Sequence, residues 1–164
     1  MKRLFLDTNI VIDFLLERQE WLNDAVAILS LADAGKIEVY CSALTLATAS
    51  FFMEKAKMPQ DLLRRKLSGF CEICQLSPID ENVVRLSLSS KFKDFEDALQ
   101  YHSALAVNTE VIITRNGKDF TYSTLPVMTA GEWLDWMRVW IWELTGEWLT
   151  VDELLQKTGY KRDS

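Results

Sequence analysis

The chain has 164 residues, of which 49% are hydrophobic and 26% charged, which suits one packed soluble domain. A net charge of −6 and a pI near 4.9 argue against a protein that coats nucleic acid with a basic surface. Apolar stretches fall well short of the ~20 residues that cross a bilayer, so no membrane association is expected. Met1-Lys2-Arg3 leads into a strand-like run with Asp7 inside it rather than a signal peptide. Cys41, Cys71 and Cys74 are an odd number without a secreted framework, which points to a reducing, cytoplasmic setting.

In chain order, Lys2 to Leu6 reads as a short buried strand. Apolar residues at 10, 11, 14 and 15 predict a helix over 10–17. A second helix follows over 21–34, and Gly35 is a natural stop. Ile37 to Cys41 is a second strand, after which Ser42 can cap a helix to about Lys57. Pro59 suits the first position of the next helix, which ends near Cys71. A short strand within 72–79 comes next. Asp80 can then cap a helix through Ser90, and Asp94 a longer one through Val107. Val111-Ile112-Ile113 is the clearest strand, β-branched and bounded by turn residues. Pro126-Val127-Met128 is a last strand, and Thr129-Ala130-Gly131-Glu132 fits a capping box ahead of Trp133.

Short strands alternating with helices predict an α/β fold in which a short-stranded parallel sheet is sandwiched by helices. This domain is expected over 1–137. Residues 138–164, dense in Trp and carrying a second capping-box pattern at Thr150-Val151-Asp152-Glu153, read as a small helical appendage. In parallel sheets, functional groups gather beyond the carboxyl ends of strands. Asp7 and Thr114 both follow strands directly. A charge placed straight after Leu4-Phe5-Leu6 needs a partner. If Asp7, the Asp94-Phe95-Glu96-Asp97 run and the Thr114–Asp119 run meet, their carboxylates repel unless a divalent cation sits among them.

Read together, Leu4-Phe5-Leu6-Asp7-Thr8-Asn9-Ile10-Val11-Ile12-Asp13, Asp94-Phe95-Glu96-Asp97-Ala98-Leu99-Gln100 and Ile113-Thr114-Arg115-Asn116-Gly117-Lys118-Asp119-Phe120 resemble the PIN-domain family of metal-dependent ribonucleases. The VapC-like bacterial toxin branch is the nearest in appearance, and the order of elements matches over about residues 1–137. The resemblance implies that Asp7 is the first metal-binding carboxylate, with Asn9 orienting it, and that Asp97 is a second. Asn116 or Asp119 would be the last polar ligand, and Thr114 a hydroxyl that steadies that loop. The implied cofactor is Mg²⁺ or Mn²⁺, the implied substrate RNA, and the implied partners a cognate antitoxin and a second copy in a homodimer. The implied reaction is hydrolysis of an RNA phosphodiester by metal-activated water, leaving a 5′-phosphate and a 3′-hydroxyl. One departure stands out: Thr48 occupies the place where the family usually carries a Glu, and Glu54 lies more than a turn further on. Asp94 or Glu96 could supply the missing charge. The alternative is a catalytically weak scaffold that binds protein or RNA.

Plainer roles fit several of these residues. Asp94 and Asp97 suit a helix N-terminus without any chemistry, Asn116-Gly117 suits a tight turn, and Asp13 reads as a solvent-facing or locally hydrogen-bonded group. Cys71-Glu72-Ile73-Cys74 has half the spacing of a zinc site, but no second pair accompanies it and His102 is the single histidine. Trp140, Trp142 and Trp148 are expected to pack against the domain or a partner. Arg64-Arg65-Lys66 is the best internal candidate for touching an RNA backbone. An aspartate phosphatase would need a second Asp where Asn9 stands.

Overall fold

The computed structural model describes residues 2–145 together with 150, 153 and 156. Its elements are β1 (Lys2–Leu6), α1 (Thr8–Leu15), α2 (Gln19–Asp33), β2 (Ile37–Ser42), α3 (Ala43–Lys55), α4 (Gln60–Ile73), β3 (Cys74–Ser77), α5 (Glu81–Leu88), α6 (Phe95–Ala106), β4 (Val111–Ile113), β5 (Val127–Met128) and α7 (Ala130–Thr145). One turn of 3-10 helix, Gly117–Phe120, stands where a tight turn was expected. The sequence-based boundaries shift by a few residues at most. One of the two-residue shifts has a clear cause. The first helix begins at Thr8 rather than residue 10, because the Asp7 carboxylate caps it by accepting the Thr8 N–H at 2.6 Å. Gly35 ends α2 with φ of 66°, a conformation that favours glycine.

The five strands form one parallel sheet in the order β3-β2-β1-β4-β5. Leu4 pairs with Val39 on one side and Val111 on the other. Alternate residues face opposite layers. Leu4, Leu6, Val39, Cys41, Val111 and Ile113 join a large core with Ile28, Met53, Phe70 and Trp133 from the helices. Phe5, Tyr40 and Ile112 join a smaller one with Tyr101, Ala104 and Phe120. Both faces are therefore covered, which is why the strands are apolar without alternation. Each fully buried Leu or Phe here contributes about 1.5–3 kcal/mol from burial.

Strand order decides where chemistry can occur. From β1 the chain steps outward to β2 and β3, then α5 and α6 carry it back to β4 on the other side of β1. The direction reverses between β1 and β4, which opens a crevice beyond their carboxyl ends. Leu6 pairs with Ile113, so Asp7 and Thr114 leave the sheet side by side, and the Asp7 N–H still donates to Ile113 O at 3.0 Å.

Asp80 caps α5, its carboxylate accepting the Val83 N–H at 2.9 Å. Asp80→Ala should cost about 1 kcal/mol, a drop of about 2–4 °C in melting temperature for a chain of this size. Thermal unfolding followed by circular dichroism checks it, and an unchanged midpoint would show that the cap contributes nothing. The expected capping box at the start of α7 is present: Glu132 accepts the Thr129 N–H at 2.8 Å, and Thr129 Oγ1 accepts the Glu132 N–H at 3.2 Å. The same reciprocal pair joins Thr150 and Glu153 at 2.7 and 3.2 Å. Helix α7 runs unbroken from Ala130 past residue 137 to Thr145. Most of the rest of the appendage expected over 138–164, and the side chains of Trp140, Trp142 and Trp148, lie outside the described residues. Among the described residues, no helix is long and apolar enough to cross a membrane.

Candidate functional site

Asp7 is buried at the switch point, only 6% exposed. Its Oδ2 accepts from Asn9 Nδ2 at 2.6 Å and from Thr114 Oγ1 at 2.7 Å, while Oδ1 takes the Thr8 N–H. Asn9 is held in turn, its Nδ2 also reaching Thr114 Oγ1 at 3.0 Å and its Oδ1 accepting the Arg115 N–H at 3.1 Å. Thr114 Oγ1 further accepts the Asn116 N–H at 3.0 Å. Asn9 and Thr114 thus lock the carboxylate in one orientation and tie the loop after β4 to the start of α1. Burial pushes the Asp7 pKa up despite these bonds, and the Glu96 charge pushes in the same direction.

Asp97 sits in the first turn of α6 behind the Asp94 cap, whose Oδ1 accepts the Glu96 N–H at 2.7 Å. The capping role is real, but it does not exhaust these residues. Burial, followed by the charges of Asp94, Asp7, Asp119 and Glu96, pushes the Asp97 carboxyl up to about 7. Contacts tie these stretches together: Thr8, whose N–H the Asp7 carboxylate accepts, reaches Glu96 on α6 with its Oγ1 at 3.3 Å, and Asp97 and Asp119 line one cleft. Asp94, Asp97 and Asp119 line a cleft of about 440 Å³. Asp7 does not line it, and Asn116 turns its amide onto the Asp119 carboxylate instead of standing alone.

Sequence reasoning missed the layer beneath. Gln100 is fully buried; its Oε1 accepts from Ser42 Oγ at 2.8 Å, and its Nε2 donates to Thr8 Oγ1 at 2.7 Å and Thr45 Oγ1 at 2.8 Å. Thr8 Oγ1 reaches Glu96 Oε1 at 3.3 Å. This network pins α6, the helix that carries Asp97, against α1 and α3. The available signal was a Gln four positions after Glu96, on one helix face with it. Thr45, rather than Thr48, is the α3 hydroxyl in this network; Thr48 is half-buried one turn later. Glu54 bonds Gln60 Nε2 at 3.2 Å and is exposed.

Two expectations need correction. Asp13 does not face solvent: it is completely buried, with Arg115 Nε at 2.7 Å and Arg18 Nη1 at 3.4 Å. The Arg64-Arg65-Lys66 patch stands away from the carboxylates. Lys66 Nζ closes the far end of α1, donating to Leu15 O at 3.1 Å and to the Glu17 carboxylate, and Arg65 and Lys66 border an apolar hollow with Phe14, Leu22 and Phe70. Cys41 and Cys74 are buried and Cys71 exposed, all as free thiols.

A family model described as the PIN domain matches residues 3–118. The chain belongs to the PIN domain family. This PIN domain is 25% identical over 139 residues to Ribonuclease VapC1 of Aquifex aeolicus (strain VF5), covering 82% of this chain and 94% of that protein. Two solved structures share its fold, each with a TM-score of 0.58 over 77% of this chain. One is VapBC2 from Rickettsia felis bound to a DNA fragment from its promoter, at 17% identity over 96% of that chain. The other is FitAB bound to an IR36 DNA fragment, at 20% identity over 94% of that chain.

Proposed function

We propose that this PIN domain is a divalent-metal-dependent endoribonuclease of the toxin–antitoxin type. One observation carries the reading: Asp7 is buried and held by Asn9 and Thr114 at the sheet's switch point, and Thr8 links it to Glu96 at the start of α6, where Asp94, Asp97 and Asp119 line one cleft. The similarity to Ribonuclease VapC1 and the fold shared with VapBC2 and FitAB support it. On this reading the partners are RNA, a cognate antitoxin and a second copy of this chain.

The donor set fits a hard cation, Mg²⁺ or Mn²⁺, because every candidate ligand is an oxygen. Asp7 and Asp97 would hold it. Among the described residues no group of three His, Cys, Asp or Glu side chains converges as a ligand set. Two carboxylates, with water and phosphate oxygens completing the shell, is a usual way for Mg²⁺ to bind. A bound cation would supply charge against the developing oxyanion and a more acidic water as nucleophile. Asn9 and Thr114 keep the Asp7 carboxylate oriented, and Gln100 fixes the helix that carries Asp97 against α1 and α3. Asp94, Glu96 and Asp119 add negative potential that attracts the ion, and Asn116 steadies Asp119.

The sparse ligand set, with Thr48 on α3 in place of an acid, also favours a second reading: a weakly catalytic scaffold that binds protein or RNA. Calorimetric titration with Mn²⁺ separates the two. On the ribonuclease reading the chain binds the ion and cleaves RNA, and Asp7→Asn, still folded by circular dichroism, does neither. No heat of Mn²⁺ binding in the unaltered chain would leave the scaffold.

A further inference from the structure

We propose that the cleft beside Asp97 is the bed of a single-stranded RNA, with Lys93 and Lys118 taking backbone phosphates on either side of the carboxylates and Tyr122 stacking an unpaired base; this rests on the ribonuclease reading and names how that site holds its substrate. An acidic protein repels a polyanion, so binding needs local cations where the strand runs. Two line this cleft. Lys93 comes from the segment before α6 and Lys118 from the 3-10 turn after β4, so they reach it from separate parts of the chain. Both are exposed, and among the described residues neither has an ion-pair partner within 4.0 Å, although Asp94, Asp97 and Asp119 line the same cleft. Lysines with unengaged ammonium groups in a cleft also lined by Asp94, Asp97 and Asp119 suit a ligand whose negative charges are spaced along a chain.

Tyr122 provides the specificity. The residue is 49% exposed, yet its ring is anchored edge-on against Phe92 at 6.1 Å between centroids. Phe92 is itself packed against Tyr101 at 5.1 Å and Phe120 at 6.2 Å. A ring fixed from behind and open in front loses little freedom when a base stacks on it. Bases inside a duplex are already stacked and turned away, so this platform serves unpaired nucleotides. A cleft of about 440 Å³ has room for roughly a nucleotide.

The test measures fluorescence anisotropy of a labelled, unstructured RNA oligomer with the full chain carrying Asp97→Asn, with and without its complementary strand. Tyr122→Ala in that background should weaken single-strand binding about tenfold, and Tyr122→Phe should restore it. Replacing Lys93 and Lys118 by Ala should each flatten the salt dependence by about 0.7 in log–log slope. The annealed duplex should bind more weakly and ignore Tyr122→Ala. Parent-like binding by the Tyr122 and Lys variants, equal losses for single strand and duplex, or no RNA binding by the parent would each overturn the proposal. Cleavage by the unaltered chain is scored separately. Variant-sensitive binding without cleavage sinks the ribonuclease reading alone, and cleavage with variant-insensitive binding sinks the bed alone.

Discussion

Asp97→Asn is expected to lower RNA cleavage by roughly 10³-fold, the scale on which single preorganised groups act on a transition state, while making the metal-free chain more stable at alkaline pH. The second effect follows from the pKa of about 7, well above the ordinary carboxylate value of 3.8. The folded state holds the Asp97 proton more tightly than the unfolded chain does. Its contribution to stability is therefore complete below about pH 4, declines as pH rises, and is gone above about pH 7. A shift of that size corresponds to about 4 kcal/mol at most, and solvent in the open cleft reduces this to roughly 2 kcal/mol.

With a chelator present, the unaltered chain should therefore melt about 4–8 °C lower at pH 8 than this group would allow at pH 4–5. Asp97→Asn should remove that part of the decline. Asp7, whose pKa is also raised, adds a fall of the same sign in both proteins, and His102, whose pKa burial lowers, acts oppositely in both. The difference between variant and parent thus reads Asp97 together with its coupling to Asp7. Mn²⁺ should restore the parent at pH 8 and leave Asp97→Asn unmoved. Identical pH profiles for the two proteins would refute the electrostatic account, and retained cleavage would remove Asp97 from the chemistry.

The second large effect concerns the ion pair behind the loop. Arg115→Ala is expected to cost about 3 kcal/mol, because it strands a fully buried Asp13 with only Arg18 at 3.4 Å. It also removes the guanidinium stacked over Trp21 at 4.9 Å. Asp13→Ala should cost about half as much. Its two arginines, with 28% and 41% of their side-chain surface exposed, can turn toward water once the carboxylate is gone. Burial already pushes the Asp13 pKa up against the pull of Arg115 and Arg18. Removing Arg115 should raise it further, so the deficit of Arg115→Ala grows as pH rises. Urea denaturation of both variants and the double variant at two pH values reads the order, the pH trend and the coupling. A larger loss for Asp13→Ala than for Arg115→Ala would contradict the buried-charge explanation. Arg115 adjoins Asn116, so loosening it should also blur the position of Asp119 and reduce cleavage.

Much of the site was legible because its residues sit at element ends, where polar side chains have recognisable local duties. Asp7 follows Leu4-Phe5-Leu6, Asp94 and Asp97 occupy a helix start, and Thr114 ends the clearest strand. Gln100 and Thr45 were hidden for the opposite reason. Each lies inside a helix, and its bonds reach residues far along the chain. Asp13 was legible in part: its bond to Arg18 five residues on is local, whereas its burial depends on Arg115, which arrives from the far end of β4. The basic residues were judged by density along the sequence, which selected Arg64-Arg65-Lys66 over the separate Lys93 and Lys118.

What the sequence determined by itself was the alternation of buried strands with capped helices, and hence a parallel sheet covered on both faces. Caps, turn residues and apolar spacing act within a few residues of themselves. Which carboxylates meet, which hydroxyls support them and which lysines flank them were decided only by the order β3-β2-β1-β4-β5. That order sets β1 against β4 and brings α6 back over both, a long-range choice made by packing two cores at once.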